Sequence, residues 1–262
     1  MSRVPANEER LLLRRRSTTL LLAQGAVAAP ASILLLLADG ATRSGYDQLS
    51  QPISLLALGE RGWTQRGNLL ATGLSMLALS EGLRRSHDVA GHRTRWGPRF
   101  VAAYGIGLAG AGTFATDPNP TYSPDGESPD TVTGEHMLHW TFSLLAYGAL
   151  TGACVAYARD FRRSGNGRLA AYSAGTTAAL VSGGLLFGRM VAGPPPMARF
   201  LGLLQRATIA FGCGWLTVLA VRLIARGRRR GAADWNGDRH SSASDPYPAS
   251  ARASSNWDLY RS

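Results

Sequence analysis

Six apolar stretches run through the 262 residues, and arginine piles up in every second gap between them. The gap from Arg84 to Arg99 holds five arginines: Arg84, Arg85, Arg93, Arg95 and Arg99. The next gap, Thr116 to Glu135, has no basic residue but carries Asp117, Asp125, Glu127, Asp130 and Glu135. The one after it is basic again, with Arg159, Arg162, Arg163 and Arg168. Arginine collects in loops on the cytoplasmic side of a membrane protein, so this alternation predicts an orientation. Both termini lie inside, with three outer and two inner loops between them. The fold class expected is an all-α, polytopic bundle of six transmembrane helices in the cell's inner (plasma) membrane.

The spans are read at Ser17 to Ala38, Gly67 to Leu83, Phe100 to Ala115, His139 to Ala158, Leu169 to Met190 and Gly202 to Ala225. The first is 22 residues long, enough to cross a hydrocarbon core of about 30 Å. A basic start, a leucine-rich run and Ala26 to Ala29 also fit a cleaved signal peptide. The apolar run continues through Ile33 to Leu37, which favours an uncleaved anchor. Its Pro30 is tolerable if a neighbouring helix satisfies the carbonyl that proline frees. Spans two and three are short, with Trp63 and Trp96 placed to anchor them at the interface.

This reading divides the chain into a basic cytoplasmic N-terminus (1–16), a transmembrane domain (17–226) and a cytoplasmic tail (227–262). The tail is rich in Ser, Ala, Asp, Asn and Pro and lacks hydrophobic periodicity, so it is expected to be disordered.

The formal charge is +11, and every one of the 28 basic residues is arginine. Such charge suggests either nucleic acid or a membrane surface, and its placement decides. The arginines sit beside apolar spans rather than along one polar face. The expected partner is therefore the bilayer, with its anionic headgroups at the cytoplasmic face, and not nucleic acid. Cys154 and Cys213 both fall within spans and read as small apolar packing residues. Ala103, Gly107 and Ala111, and likewise Gly175, Ala179 and Gly183, recur every fourth residue and predict close helix packing. Gly105, Gly107 and Gly110 also spell a dinucleotide-binding glycine pattern, which is empty without a preceding strand.

Nearly all the unusual polar residues collect on the outer face. The first outer loop holds Tyr46, Asp47, Gln51 and Ser54, and its apolar stretch Ile53 to Leu58 is short enough to dip into the bundle. The second opens with Thr116 and Asp117 and closes with Glu135, His136 and His139. On a helix His136 and His139 share a face. The third brings Arg189 and Arg199, followed by Gln205 and Arg206 at the start of the last span.

Three chemistries fit these residues. Asp117, His136 and His139, with Glu135, are suitable ligands for a metal such as zinc, although no tight two-histidine motif is present. Ser54, His139 and Asp117 offer a nucleophile, a base and an orienting acid. Arg189 and Arg206 suit the phosphate of a lipid or a small anion. Against these stands a purely structural arrangement, in which Arg206 pairs with Asp117 and His139 bonds a helix end.

These residues resemble the family catalogued as domain of unknown function 998, six-span membrane proteins of bacteria and archaea. The resemblance rests on Gly45-Tyr46-Asp47, Gln51-Pro52-Ile53-Ser54, Phe114-Ala115-Thr116-Asp117-Pro118, Thr133-Gly134 with His139, and Gly202-Leu203-Leu204-Gln205-Arg206. Members often carry an acid after the serine, where Leu55 stands, and a glutamate before the last arginine, where Gln205 stands. The resemblance implies the architecture and the position of the site, and leaves the activity open. The functions that remain are binding or transport of a lipid or small molecule, hydrolysis of a lipid or lipid-linked substrate at the outer leaflet, and a structural scaffold.

Overall fold

A computed structural model describes residues 6–86, 94–120, 122–124, 130–193 and 195–243. Among them are six α-helices: α1 (Ala6–Ala41), α2 (Gly62–Arg85), α3 (Trp96–Thr113), α4 (Gly134–Arg163), α5 (Gly167–Ala192) and α6 (Leu201–Ala243). Two short 3-10 helices, Ile53–Ala57 and Pro195–Phe200, lie in the connections. The predicted all-helical bundle is what forms. Arg93, Asp125, Glu127 and the tail from 244 onward lie outside the described residues.

Five of the six predicted spans fall within a single helix. The third overshoots, because α3 stops at Thr113 where Phe114 turns extended (φ −96°, ψ 138°). Helix starts are set by side chains that accept the first free amides. The Thr133 hydroxyl accepts from the amide of His136 (3.2 Å), and the Asn166 carboxamide accepts from that of Leu169 (3.4 Å). The last helix runs on past its span to Ala243, into the first residues of the tail. Their polar sequence lacks an apolar face but carries Ala232 and Ala233, good helix formers joined to an existing helix that needs no new nucleus.

Each helix packs on its neighbour in sequence, and α6 returns to pack on α1, so the six close into a ring. Glycine lets α2 and α3 approach closely: a Cβ on Gly73 would lie 2.6 Å from the carbonyl of Gly105. Gly183 of the predicted α5 stripe meets Thr208 of α6, whereas Gly175 faces open space. Gly105, Gly107 and Gly110 sit inside α3 as packing positions, with no strand before them among the described residues.

Polar bonds join the ring where lipid would offer no partner. The Gln24 carboxamide donates from α1 to the carbonyl of Ser75 on α2 (2.8 Å), and Asn68 donates back to that of Ser32 (3.2 Å). Trp215 on α6 donates to the hydroxyl of Ser173 on α5 (2.9 Å). The hydroxyl of Thr217 donates to the carbonyl of Ala26 (3.2 Å), four residues before Pro30.

The ring's outer surface is apolar. Leu13, Leu20, Val27 and Leu34 are all more than half exposed and recur every seventh residue, one face of α1. Four helices, α1, α4, α5 and α6, are long and apolar enough to cross a membrane. The other two fall short of that measure for visible reasons. α2 carries the buried stripe Gln65, Asn68 and Thr72, and α3 is glycine-rich with Arg99 in its first turn.

The described residues of the connections 42–61, 114–133 and 193–200 gather at one end of the ring, here termed the site end. There the carbonyl of Leu49 accepts from the amide of Leu203 (2.9 Å), and the Glu135 carboxylate from that of Ala115 (3.2 Å). At the opposite, arginine end lie the start of α1, the ends of α2 and α4 and the start of α5. Arg85 donates to the Ser17 hydroxyl there (3.3 Å).

Candidate functional site at the mouth of the helix ring

The first loop closes the ring's mouth. Gly45, at φ +71°, makes the turn that follows α1. The Asp47 carboxylate then accepts from the Ser50 hydroxyl (2.5 Å) and the Leu49 amide (3.0 Å). Those two bonds, the hydroxyl's foremost, hold its carboxyl below the usual aspartate range. Ile53, Leu55, Leu56 and Ala57 of the following 3-10 helix are buried, so this stretch does dip into the bundle. Gln205 of α6 pins it, its side-chain oxygen accepting from the amide of Ile53 (2.8 Å).

Arg206 lies behind that loop, only 6% exposed. Its guanidinium donates to the carbonyls of Gln48 (2.8 Å) and Gln51 (3.0 Å) and to the Tyr46 hydroxyl (2.6 Å). It also stands 5.6 Å from the centre of the Tyr46 ring, which meets Tyr122 edge-on. Burial raises the Tyr46 hydroxyl above the ordinary tyrosine pKa, and Arg206 partly offsets this. The Arg206 Nε has no hydrogen-bond partner among the described residues.

The expected Asp117–Arg206 pair therefore does not form. Five donors in a planar fork match a cluster of loop carbonyls as well as they match a carboxylate. Asp117 is committed elsewhere, accepting from the amide (2.9 Å) and hydroxyl (2.6 Å) of Thr133, the residue that caps α4.

The two histidines sit side by side with different hydrogen-bond roles. The amide of Asp117 donates to Nδ1 of His136 (2.9 Å), with the Thr116 hydroxyl at 3.1 Å. An amide only donates, so that nitrogen accepts and Nε2 is left as the donor. His139 is the reverse. Its Nδ1 faces the carbonyls of Ala111 (2.9 Å) and Phe114 (3.1 Å), which only accept, so Nδ1 carries the hydrogen. In the neutral ring Nε2 is then free to accept. The structural expectation for His139, a bond to a helix end, holds.

Two cavities have His139 in their walls. One, of about 160 Å³, lies inside the ring and takes lining residues from all six helices, including Ser32, Gln65, Asn68, Thr72 and Cys213. The other, of about 850 Å³, runs along α4, α5 and α6 from the loops to the ring's outer surface. Ser54, His139, Ser143, Tyr147 and Gln205 line both. The outer cavity is polar at its loop end, with Thr116, Asp117, Asn119, His136 and Arg199. Farther along, Leu144, Val181 and Leu185 make it apolar.

Of the residues picked from the sequence, Ser54, Thr116, Asp117, His136, His139 and Gln205 come together on these walls. Tyr46, Asp47, Gln51 and Arg206 do not line either cavity; they build the loop that covers it. Arg189 is exposed on α5 and also lines neither, so the proposed Arg189–Arg206 anion clamp is not assembled. The Ser54–His139–Asp117 relay is not assembled either, because backbone carbonyls rather than Asp117 orient the His139 ring. Among the described residues no three histidine, cysteine or acidic side chains converge to hold a metal ion.

Ser143, Tyr147 and the α2 stripe are wall residues that sequence reasoning missed. The stripe had a signal, since Gln65, Asn68 and Thr72 repeat at helical spacing. So did a second cluster nearby: Asp39 and Arg43, four apart and both buried, pair at 3.0 Å, and Arg61 joins them at 2.8 Å.

The family profile described as a protein of unknown function (DUF998) matches residues 26–222. The chain belongs to that family. The matched segment begins within α1 and ends within α6, so it takes in all of α2 to α5, both cavities and the covering loop. No curated protein and no solved structure matches the chain.

Proposed function

We propose that this integral membrane protein binds an amphipathic molecule, a lipid or a lipid-like small molecule, drawn sideways from the outer leaflet. The observation that carries the reading is that the two cavities share Ser54, His139, Ser143, Tyr147 and Gln205 as wall residues. An apolar channel open to the ring's lipid-facing surface suits a hydrocarbon chain. Its polar end offers the His136 donor, the His139 acceptor and the Arg199 guanidinium to a headgroup. Ligand pockets of a few hundred Å³, mostly apolar with a few placed polar groups, are of this kind.

The orientation belongs to the same proposal: six spans in the inner membrane, both termini cytoplasmic, and the site end outside. Its support is charge. Arg84, Arg85, Arg95, Arg99, Arg162, Arg163 and Arg168 lie at the arginine end, whereas at the site end Arg43, Arg61, Arg66, Arg189, Arg199 and Arg206 are matched by Asp39, Asp47, Glu60, Asp117, Asp130 and Glu135. The ring supports the count of six, since α2 and α3 stand between α1 and α4 in it.

Lipid retained through purification, identified by mass spectrometry, tests the reading. Ser143→Leu adds bulk to the shared wall without touching the covering loop, and should shed the retained molecule while the protein stays folded. Equal retention by the blocked variant would remove the proposal. Hydrolysis is the second reading, favoured by Ser54 and His139 sharing both walls. Turnover of a fluorescent phospholipid, abolished by both Ser54→Ala and His139→Gln, would put it in place of binding.

A further inference from the structure

A third cavity, of about 610 Å³, opens at the other end of the ring between α5 and α6. From α6 it takes Val218, Arg222, Ala225, Arg226 and Arg229, and from α5 it takes Arg168, Leu169 and Tyr172. The α6 residues recur three and four apart, so they form one face of that helix. The indole of Trp215 bonds the Ser173 hydroxyl one residue beyond Tyr172 and fixes the two helices to each other below the cavity.

Arg168, Arg222 and Arg229 line the cleft beside Arg226, which has a partner of its own, and no carboxylate is among the described lining residues. Like charges gathered around a cleft repel one another and create a local positive potential that an anion relieves. The positive end of the α5 dipole adds to it. The lining is also graded: Val218, Leu169 and Tyr172 are apolar or aromatic, and the arginines follow over the next turns of α6. From Arg222 to Arg229 the helix rises about 10 Å, the scale of a headgroup with more than one phosphate ester.

We infer that this cleft binds the phosphate-bearing headgroup of an anionic phospholipid in the leaflet at the arginine end, with the arginines on the phosphates and the acyl chains leaving past Val218 and Leu169. The site is separate from the proposed amphiphile channel and does not depend on it. Arginines near a membrane surface contribute about 1 kcal/mol each toward anionic lipid, and a cleft between helices adds shape to that attraction.

The full chain in nanodiscs provides the test. Phosphatidylcholine alone should give a lower melting temperature than phosphatidylcholine mixed with phosphatidylglycerol or cardiolipin, and native mass spectrometry should show anionic lipid retained. In Arg222→Gln/Arg229→Gln the preference for anionic lipid should fall roughly thirtyfold. The melting temperature in phosphatidylcholine should be unchanged, since both side chains are exposed. Arg162→Gln/Arg163→Gln removes the same charge at the same end, outside the cleft, and should keep the preference. An equal loss in that control would mean diffuse surface attraction and overturn the site. Equal protection by inorganic phosphate or pyrophosphate would assign the cleft to a soluble anion instead.

Discussion

Thr217 of the last helix has its hydroxyl between two carbonyls, that of Ala26 in the first helix at 3.2 Å and that of Cys213 in its own at 3.1 Å. The hydroxyl's one hydrogen is shared between them. The Ala26 oxygen has no helical partner of its own, because Pro30, four residues on, has no amide hydrogen. A buried carbonyl in an apolar setting needs a donor, and a neighbouring helix supplies it. The bond also lies at the α1–α6 contact that closes the ring.

Thr217→Val should therefore destabilise the protein by about 1–3 kcal/mol, the cost of leaving a buried acceptor unmade. In a Pro30→Ala background the carbonyl regains a helical donor, and the same change should cost clearly less. Thermal denaturation of the four proteins in detergent measures the coupling. Strict additivity would mean that proline and threonine act independently.

Arg206→Met should be the most damaging single change at the site end. It strips the carbonyls of Gln48 and Gln51 and the Tyr46 hydroxyl of a charged donor, at about 1.5–3 kcal/mol per such bond. Tyr46→Phe should cost less, because it removes one acceptor and leaves the ring. Asp117→Ala should act on the start of α4 through Thr133. Its effect should add to that of Arg206→Met, since the two share no partner. Sub-additive losses would restore a direct Asp117–Arg206 interaction.

Gly202→Ala tests how closely the covering loop sits on α6. A Cβ there would press on the carbonyls of Gln51 and Gln48 and stand 2.8 Å from the Arg206 guanidinium. Gly188→Ala, on the same side of the molecule, meets nothing within 4 Å. The first should lower the melting temperature and expose the loop to protease, and the second should do neither. Unchanged protease resistance in Gly202→Ala would show that the loop is not held there.

Reporter fusions test the orientation. A reporter active only in the cytoplasm should work after Arg85 and after Arg163, and one active only outside should work when inserted near Ser123. The opposite pattern would invert the molecule and move the amphiphile site to the inner leaflet.

The helices were legible because membrane spans are written in long runs of one kind of residue. The need for a donor near Pro30 was legible too, since it follows from backbone chemistry alone. Arg206 was read less well. Charge opposition made Asp117 its natural partner, but a guanidinium is satisfied by carbonyls, and carbonyls are invisible in a sequence. Asp39 and Arg43 carried the spacing of an ion pair and were missed, because the apolar run defining the first span ended at Ala38. Gln65, Asn68 and Thr72 were lost for a related reason: averaging hydropathy over a window erases a stripe on one face. His139 was recognised as central, whereas the cavity that makes it so is formed by six helices far apart in the chain.

The closed ring also has a consequence for how the protein is made. Helices enter the bilayer in order, and α1 arrives with the Ala26 oxygen bare. Its donor, Thr217, is on the last helix to be inserted. Through the interval the growing chain is an open arc, with the walls of its future cavity turned to lipid. A ribosome that stalls before Thr217 would leave an intermediate whose exposed polar seam is a ready mark for quality-control proteases.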